Sequence, residues 1–260
     1  MTTVPDIRTV VREKYADIVE GKRESCCGSG CGCSGGDVLD QIGYSAEQAA
    51  AVPEGANLGL GCGNPLGHAA VKAGETVLDL GSGAGIDCFL AAREVGPTGR
   101  VIGVDMTPAM LDRARANAKR SAVGNVEFRL GEIEHLPVAD DTVDLVISNC
   151  VVNLSPEKPQ VFREALRALK PGGRLVVSDL VLKRPLSAEM LASVDCYVGC
   201  VAGASPRDEY LGMIRDAGFR DVEVLSETAY TVGTGTLPPG SEEQAAYESV
   251  VSLKVRAWKR

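Results

Sequence analysis

Cysteine is the residue type in this sequence with the widest choice of chemistry. The chain of 260 residues has nine cysteines but only two histidines. Three of the cysteines, Cys62, Cys150 and Cys200, stand in glycine-containing segments or directly after an apolar strand pattern. Read singly, each is typical of a small side chain packed in a core. Thiolate sulfur is also a ligand for soft centres, and three thiols around one crevice favour that second use.

Four more thiols lie near the N-terminus, within residues 25–36. They are Cys26, Cys27, Cys31 and Cys33. Glycine and serine fill most of the remaining positions, which predicts a loop rather than a helix or strand. The spacing differs from the paired C-x2-C pattern of common zinc sites, so a zinc-binding or zinc-sensing protein is a weak alternative.

Composition and charge exclude several classes of protein. Apolar residues make up 45% and charged residues 24%, which is typical of a globular chain. With a net charge of −8 and a pI near 5.0, the chain lacks the excess of basic residues found in proteins that bind nucleic acid or anionic membrane. No apolar stretch approaches the ~20 residues of a membrane span, and the N-terminus lacks a signal-peptide core. We expect a cytoplasmic protein, whose reducing compartment excludes a disulfide scaffold.

From residue 76 the sequence alternates between strand and helix patterns. The predicted strands are 76–80, 100–104, 126–130, 145–148 and 174–178. The predicted helices are 86–94, 108–120 and 157–169. Thr107-Pro108 and Ser155-Pro156 each place a capping hydroxyl before a proline at the first helical position. The alternation predicts an α/β fold with a parallel sheet and helices on both faces.

The flanking segments complete this organisation. Residues 222–225 and 251–258 have strand character and would extend the sheet at one edge. Residues 183–217 look mostly helical and would cover the substrate as an insertion. We therefore divide the chain into an N-terminal helix with a cysteine-rich arm, 1–45, and a main domain, 46–260.

A glycine-rich turn follows the first predicted strand and leads into a helix. Residues 78–85 read Leu-Asp-Leu-Gly-Ser-Gly-Ala-Gly, and the glycines allow a sharp turn and a close ligand. Asp105 ends the second strand, where a carboxylate can accept both hydroxyls of a ribose. The third glycine comes one residue earlier than in the dinucleotide pattern, and Asp87 follows soon after. Acidic groups here suit an ammonium or sulfonium ligand better than a pyrophosphate.

Four motifs of this chain resemble, in order, those of class I S-adenosylmethionine-dependent methyltransferases. They are 79–85, Asp105, 131–137 and 169–174, within a match from residue 72 to about 180. The resemblance implies a Rossmann-like sheet, mostly parallel with an antiparallel edge. It also implies S-adenosylmethionine as the cofactor.

The same resemblance implies roles for individual residues. Asp79 and the glycine turn would hold the amino-acid end of the cofactor, and Asp105 the ribose. Met106 would pack on the adenine, whose amino group would meet Glu132 near the backbone of Ile133. The complete implied cofactor set is Asp79, Gly81, Ser82, Gly83, Gly85, Asp105, Met106, Glu132, Ile133 and Asn149.

The sequence segments around Cys62, Cys150 and Cys200 resemble the cysteine segments of arsenite methyltransferases. The matching segments are 60–65, 148–154 and 197–204, each built around one of those three cysteines. The resemblance implies that the three thiols bind trivalent arsenic as the substrate. The family also has a cysteine upstream of these three, and Cys33 or Cys31 would take that place because both lie closest along the chain.

This chemistry agrees with the residue types present. Soft trivalent arsenic prefers thiolate sulfur to oxygen or nitrogen. Each thiol displaces an arsenic hydroxyl and its proton leaves as water, so no general base is needed. The arsenic lone pair then attacks the sulfonium methyl group. This step oxidises the arsenic to the pentavalent state, and a dithiol that becomes a disulfide returns the two electrons.

The partners follow from this scheme. We expect arsenite and methylarsenite as substrates, and mono- and further methylated arsenicals as products of detoxification. A cysteine of the N-terminal arm would pair with Cys62, and thioredoxin or glutathione would reset the pair. We expect no nucleic acid or membrane as a partner.

The principal alternative keeps the fold and changes the substrate. It is a small-molecule O- or C-methyltransferase with structural cysteines. Such a reaction calls for a positioned base, and the sequence offers no obvious one. Cys88 and Cys196 are interpreted as packing residues, and neither His68 nor His135 is assigned a catalytic role.

Overall fold

The computed structural model describes residues 6–22, 35–230, 244 and 247–260. The four N-terminal cysteines and residues 25–34 of the predicted loop lie outside the described residues, whereas residues 35–36, also predicted as loop, begin a helix. The helices are α1 (Ile7–Val19), α2 (Gly35–Gln41), α3 (Ala46–Ala51), α4 (Ile86–Val95), α5 (Pro108–Arg120), α6 (Lys158–Ala168), α7 (Ala188–Ala192), α8 (Val194–Val198) and α9 (Arg207–Asp216). The strands are β1 (Thr76–Leu80), β2 (Arg100–Asp105), β3 (Val126–Leu130), β4 (Val143–Asn149), β5 (Leu169–Leu182), β6 (Ser205–Pro206), β7 (Arg220–Ala229) and β8 (Val250–Trp258).

These strands form one mixed sheet. Its order is β3-β2-β1-β4-β5-β8-β7, and the short β6 pairs with β5. Strands β1 to β5 are parallel neighbours, whereas β8 is antiparallel to β5 and β7 is antiparallel to β8. The predicted fold is confirmed: a Rossmann-like α/β sheet, mostly parallel, with an antiparallel edge and helices around it.

The two predicted helix starts have different outcomes. α5 begins at a proline directly after its N-cap Thr107, as the sequence predicts, but the Thr107 hydroxyl makes no capping hydrogen bond. α6 begins at Lys158 with Glu157 as its N-cap, so the predicted cap at Ser155 is wrong. The Ser155 hydroxyl instead donates to the buried carboxylate of Glu134. The same hydroxyl accepts the backbone N–H of Glu157 at 3.0 Å, so Ser155 stabilises the turn that precedes α6 rather than the helix itself.

Apolar side chains cover the sheet on both faces, because parallel strands carry helices on each side. On one face α6 and α9 pack together, with the rings of Phe162 and Tyr210 in a T-shaped contact at 5.5 Å. On the other face α4 and α5 pack with Val38 and Leu39 of α2. Residues of α2 thus contribute to the core, and the division of the chain at residue 45 stays a prediction.

The predicted insertion at 183–217 has two parts with different neighbours. Met190 of α7 and Val198 of α8 belong to an apolar cluster that also contains Cys62 and Cys200. In contrast, α9 packs its buried residues into the core beside α6. Only the first part therefore lies near the cysteines.

Candidate active site

A cavity of about 390 Å³ lies at the carboxyl ends of the parallel strands. The chain order of the sheet reverses there, between β1 and β4, and open α/β sheets bind their ligands at such points. The predicted cofactor residues that line this cavity are Asp79, Gly81, Ser82, Gly83, Asp105, Met106, Ile133 and Asn149. Cys150 and Cys200 line it as well.

Two residues predicted to bind the cofactor lie outside the cavity lining. Gly85 has a positive φ of 97°, and a Cβ there would lie 2.8 Å from the ring of Phe89, so turn geometry and packing account for this glycine. The side chain of Glu132 is 43% exposed, and its carboxylate lies 3.8 Å from the guanidinium of Arg8. Of these two glutamates, Glu134 lines the cavity, although the sequence analysis did not select it.

Asp79 and Asp87 form an acidic end of the cavity. Burial raises the pKa of both carboxyl groups, that of Asp87 to about 6, and the charge of Asp87 raises the pKa of Asp79 further. The Tyr44 hydroxyl donates to Asp87 at 2.8 Å, and the Cys88 thiol donates to Asp79 at 3.2 Å. Within the described residues, neither acid pairs with a basic side chain. This end therefore favours a cationic ligand group.

Asp105 and the glycine turn form the adjoining wall. The Asp105 carboxylate accepts the backbone N–H groups of Gly83 at 2.9 Å and Thr107 at 2.8 Å. Gly83 has a φ of +51°, and a Cβ there would meet no atom within 4 Å. Open space therefore remains where a ligand can lie directly against the backbone.

Three cysteines define the thiol end of the cavity. Cys150 and Cys200 line the cavity, whereas Cys62 is buried and is not one of the lining residues. The Sγ atoms of Cys62 and Cys150 and a carboxylate oxygen of Asp179 all lie within 4.8 Å of one another. The Cys200 thiol donates to the carbonyl oxygen of Cys150 at 2.8 Å. The structure thus brings together the three cysteines that the sequence analysis selected. The sequence analysis missed Asp179, although an acidic residue inside an apolar strand pattern is a signal of a functional site.

Two of these cysteines have an unusual backbone conformation. Cys150, directly after β4, has a φ of 58°, and Cys200, two residues after the end of α8, has a φ of 64°. The left-handed region costs a non-glycine residue roughly 1–2 kcal/mol, and such residues cluster at functional sites. The surrounding structure therefore holds both cysteines in a backbone conformation that an unconstrained chain would rarely adopt.

The thiols are uncharged at neutral pH. Burial raises the pKa of Cys62 to about 11 and that of Cys150 well above its usual value. A hydrogen bond with the Cys150 thiol, together with burial, raises the pKa of Cys200. Burial also raises the pKa of Asp179 to about 7, although Tyr210 donates to its carboxylate.

The loop around Cys62 is held tightly against the sheet. A Cβ at Gly63 would lie 1.8 Å from the Ser178 hydroxyl oxygen, so the loop approaches β5 as only glycine allows. Ser252 of β8 donates to the Cys62 carbonyl oxygen at 2.7 Å. Asn149, at the end of β4, accepts the Cys62 N–H at 3.1 Å.

Helix α1 covers the cavity from one end to the other. Arg8 and Tyr15 both line it. Arg8 forms an ion pair at 3.2 Å with Glu134, beside the cofactor wall. The Tyr15 hydroxyl donates at 3.2 Å to the carbonyl oxygen of Val198, two residues before Cys200. The sequence pattern predicts the helix but not this position, because its contacts lie more than a hundred residues away along the chain.

Comparisons with known proteins agree with this geometry. A family model described as a methyltransferase domain matches residues 71–218. An arsenite methyltransferase of Halobacterium salinarum is 52% identical over 238 residues, which are 87% of this chain and 60% of that protein. The arsenite methyltransferase of Homo sapiens is 34% identical over 165 residues, 60% of this chain and 44% of that protein.

A solved structure decides the family. The crystal structure of CrArsM, an arsenic(III) S-adenosylmethionine methyltransferase from Chlamydomonas reinhardtii, superimposes with a TM-score of 0.68 at 34% identity. The match covers 85% of this chain and 73% of that chain. This chain belongs to the arsenite methyltransferase family. It spans about 60% of the length of the Halobacterium arsenite methyltransferase. No helix in the part of this family member that the structure describes has the length and apolar character to cross a membrane.

The cavity of this arsenite methyltransferase family member fits S-adenosylmethionine. The cofactor carries an ammonium and a sulfonium charge, which match the unpaired acids Asp79 and Asp87. The ribose hydroxyls match the carboxylate of Asp105, and the open face of Gly83 gives room for close approach. Met106 and Ile133 add apolar side chains to the lining.

Proposed function

We propose that this chain methylates trivalent arsenic bound by Cys62, Cys150 and Cys200, with S-adenosylmethionine as the methyl donor. The observation that carries the proposal is the proximity of these three cysteines, two of which line a cavity that also has buried acids in its lining. Three thiols around one point suit a soft, pyramidal centre. The sequence identity to arsenite methyltransferases supports the same substrate.

The uncharged thiols agree with arsenite as the incoming substrate. Arsenite carries three hydroxyl groups at neutral pH. As each sulfur–arsenic bond forms, an arsenic–oxygen bond breaks, and the thiol proton leaves with the hydroxyl as water. The raised pKa values of the three thiols are therefore no obstacle, because no thiolate and no general base is required.

The remaining residues position the reacting atoms. S-adenosylmethionine supplies a methyl group on a positively charged sulfur when it is bound. Asp79 and Asp87 orient the charged end, and the wall at Asp105 holds the ribose. The arsenic lone pair must come within roughly 3–3.5 Å of the methyl carbon, and holding that geometry is the main catalytic task. α1 closes over both ends and excludes water.

The oxidation state of arsenic requires a second step. Methyl transfer converts trivalent to pentavalent arsenic, and two thiols that form one disulfide return the two electrons. We propose that Cys33 or Cys31 forms this disulfide with Cys62, and that thioredoxin or glutathione reduces it. Replacing Cys26, Cys27, Cys31 and Cys33 together by serine should stop multiple turnover, and undiminished turnover would contradict this step.

Product analysis tests the reaction. The protein is incubated with arsenite, S-adenosylmethionine and a thiol reductant, and the products are separated by chromatography with arsenic detection. We expect mono- and further methylated arsenicals from the parent. Cys150→Ser and Cys200→Ser should form none, because each leaves arsenic with two sulfur ligands. Cys196→Ser is the matched control, because it also replaces a thiol of the cavity lining but not one of the three proposed ligands. It should keep the parental rate within about twofold.

Two results would contradict the proposal. The first is the absence of methylated arsenic from parental protein that binds the cofactor, which would direct the search to organic oxygen or carbon nucleophiles. The second is parental activity in both serine variants, which would separate the reaction from the thiols. Methylarsenite as an alternative starting substrate shows which methylation step is faster. We further propose that the reaction serves arsenic detoxification in the cytoplasm.

A further inference from the structure

Asn149 occupies the boundary between the two ends of the cavity. It is the last residue of β4 and directly precedes Cys150. Its side-chain amide contacts the Cys62 loop on one side and the acidic end on the other. The sequence analysis placed it among the cofactor residues only, which leaves its contacts with the loop unexplained.

The contacts on the loop side fix the backbone around Cys62. Asn149 Oδ1 accepts the Cys62 N–H at 3.1 Å, and Asn149 Nδ2 donates to the Gly63 carbonyl oxygen at 2.7 Å. A Cβ at Gly61 would lie 3.1 Å from the same Nδ2 atom. One amide thus satisfies backbone groups on two consecutive residues and lies in close contact with a third.

The contacts on the acidic side involve the groups that face the cofactor end. Asn149 Nδ2 also donates to the Tyr44 hydroxyl oxygen at 2.9 Å and lies 3.3 Å from a carboxylate oxygen of Asp87. The Tyr44 hydroxyl in turn donates to the other oxygen of Asp87. Tyr44 is buried, and the hydrogen bonds described for its hydroxyl join Asp87 and Asn149 rather than a substrate thiol.

We propose that Asn149 is a positioning residue that links the two binding sites, so that arsenic at the thiols and the cofactor at the acids strengthen each other's binding. The inference rests on the proposed function. An amide that shares its hydrogen bonds between the Cys62 loop and Asp87 is restrained from both sides. A ligand that orders either side therefore orders the other, and the coupling must be equal in both directions.

The test measures binding rather than turnover. All variants are made in a full-length background with Cys26, Cys27, Cys31 and Cys33 replaced by serine, so that arsenite uptake reports the remaining thiols. S-adenosylhomocysteine, which cannot donate a methyl group, replaces the cofactor in isothermal titration calorimetry. Its Kd is measured with and without saturating arsenite. Arsenite uptake is measured by equilibrium dialysis in a phosphine reductant.

Two variants and one control carry the comparison. Asn149→Ala removes the whole link. Tyr44→Phe removes the hydrogen bonds that the Tyr44 hydroxyl makes with Asp87 and Asn149, and it leaves the direct contact between Asn149 and Asp87 in place. Asn125→Ala is the control, because its amide donates to the Ala92 and Gly96 carbonyls at the end of α4. If Asn149→Ala fails to fold, Tyr44→Phe decides the result.

We expect the variants to change the factor by which arsenite tightens S-adenosylhomocysteine binding. Arsenite should tighten S-adenosylhomocysteine binding about fivefold or more in the parent and in Asn125→Ala, which is the usual range for linked sites. The factor should fall to about one in Asn149→Ala and to an intermediate value in Tyr44→Phe. Tyr44→Phe should also weaken arsenite binding, although no described hydrogen bond of the Tyr44 hydroxyl joins a substrate thiol.

Other results overturn the inference or its basis. Equal coupling in the parent and both variants would show that the coupling does not pass through Asn149, and no coupling in the parent would show that the two sites bind independently. Either result would overturn the inference. No arsenite uptake by the parent would overturn the proposed function, and the inference with it. The two failures are distinguishable, because arsenite uptake is measured separately from the coupling.

Discussion

The acidic end and the thiol end of the cavity are built from different kinds of structure. Asp79 lies within β1 and Asp105 ends β2, so regular strands set their positions. Cys62 lies in a loop, and Cys150 and Cys200 have left-handed backbones outside any strand or helix. Asp87 lies in the first turn of α4. The acidic end is thus positioned by the sheet and by the first helix that follows it, whereas the thiol end depends on supporting contacts from several elements.

This difference teaches what each end is sensitive to. A strand end tolerates a change of side chain without moving, so substitutions at the acidic end should act through charge. A loop that is held by close packing moves when one atom is added, so substitutions at the thiol end should act through position. Displacement of a reacting group by about 1 Å is enough to cost a hundredfold in rate.

Gly63→Ala should have the largest effect. Its Cβ would collide with the Ser178 hydroxyl and push the Cys62 loop away from β5. We expect arsenic methylation to fall about 100-fold and stability to fall by about 1–3 kcal/mol, with cofactor affinity within threefold of the parent. The measurements are product formation, thermal denaturation and S-adenosylhomocysteine titration.

Two further variants sharpen this prediction. Gly212→Ala in α9 is the control, since a Cβ there meets no atom within 4 Å. It should leave methylation unchanged. Adding Ser178→Ala to Gly63→Ala removes the collision with the hydroxyl and should recover part of the rate. A Gly63→Ala protein with parental methylation would show that the loop does not need this approach.

Asp79→Asn should have the next largest effect, and through charge. It removes a carboxylate that we propose orients the cationic end of the cofactor, and we expect a loss of about 30-fold in affinity for S-adenosylmethionine, equivalent to about 2 kcal/mol. Arsenite uptake should change little. Asp112→Asn on the exposed face of α5 is the control. Unchanged cofactor affinity in calorimetry would show that Asp79 does not contact the charged end.

Arg8→Ala should have a smaller effect, because it weakens the attachment of α1 over the cavity and leaves the acidic end and the thiol end intact. The substitution leaves the buried Glu134 without its ion pair. We expect cofactor affinity to fall about fivefold and hydrogen exchange in α1 to accelerate. Arg12→Ala in the same helix is the control, since Arg12 donates only to the neighbouring Thr9 hydroxyl among the contacts described. Equal exchange rates in the two variants would contradict a role for Arg8 in closure.

The acidic pair should also make stability depend on pH. Burial raises the pKa of Asp87 to about 6, so the folded protein binds more protons than the unfolded chain between its ordinary value near 4 and about 6. Stability in the absence of cofactor should therefore fall as pH rises through this window, by at most about 1.4 kcal/mol per pH unit for this group. Asp87→Asn should flatten the slope in denaturant titrations at pH 4.5 and 6.5. An unchanged slope would show that Asp87 titrates normally.

The acidic end could be predicted from sequence because its residues lie close together along the chain. Asp79, the glycine turn and Asp87 fall within one strand–turn–helix unit, and Asp105 ends the next strand. The choice between Glu132 and Glu134 could not be made this way. Both lie in one short turn, and only the contacts with Arg8 and Ser155 show which side chain is buried.

The thiol end could be predicted only as a list of residues. The resemblance selected Cys62, Cys150 and Cys200, and the structure places them together. Asp179 and Tyr15 were missed because their proximity to the thiols depends on tertiary contacts that no local pattern records. Gly85 was assigned to the cofactor because a glycine pattern does not distinguish a ligand contact from close packing against a ring.

The antiparallel strand β8 has a consequence for how such enzymes can be recombined. Ser252 on β8 holds the Cys62 carbonyl, and Lys254 lies 3.2 Å from the Cβ position of Gly63. The segment that carries the first thiol is thus braced by a strand almost two hundred residues later in the chain. A chimera that grafts residues 60–65, 148–154 and 197–204 onto another methyltransferase would inherit the thiols without their brace. Strand β8 and the Cys62 loop form one structural unit, and a chimera should include both.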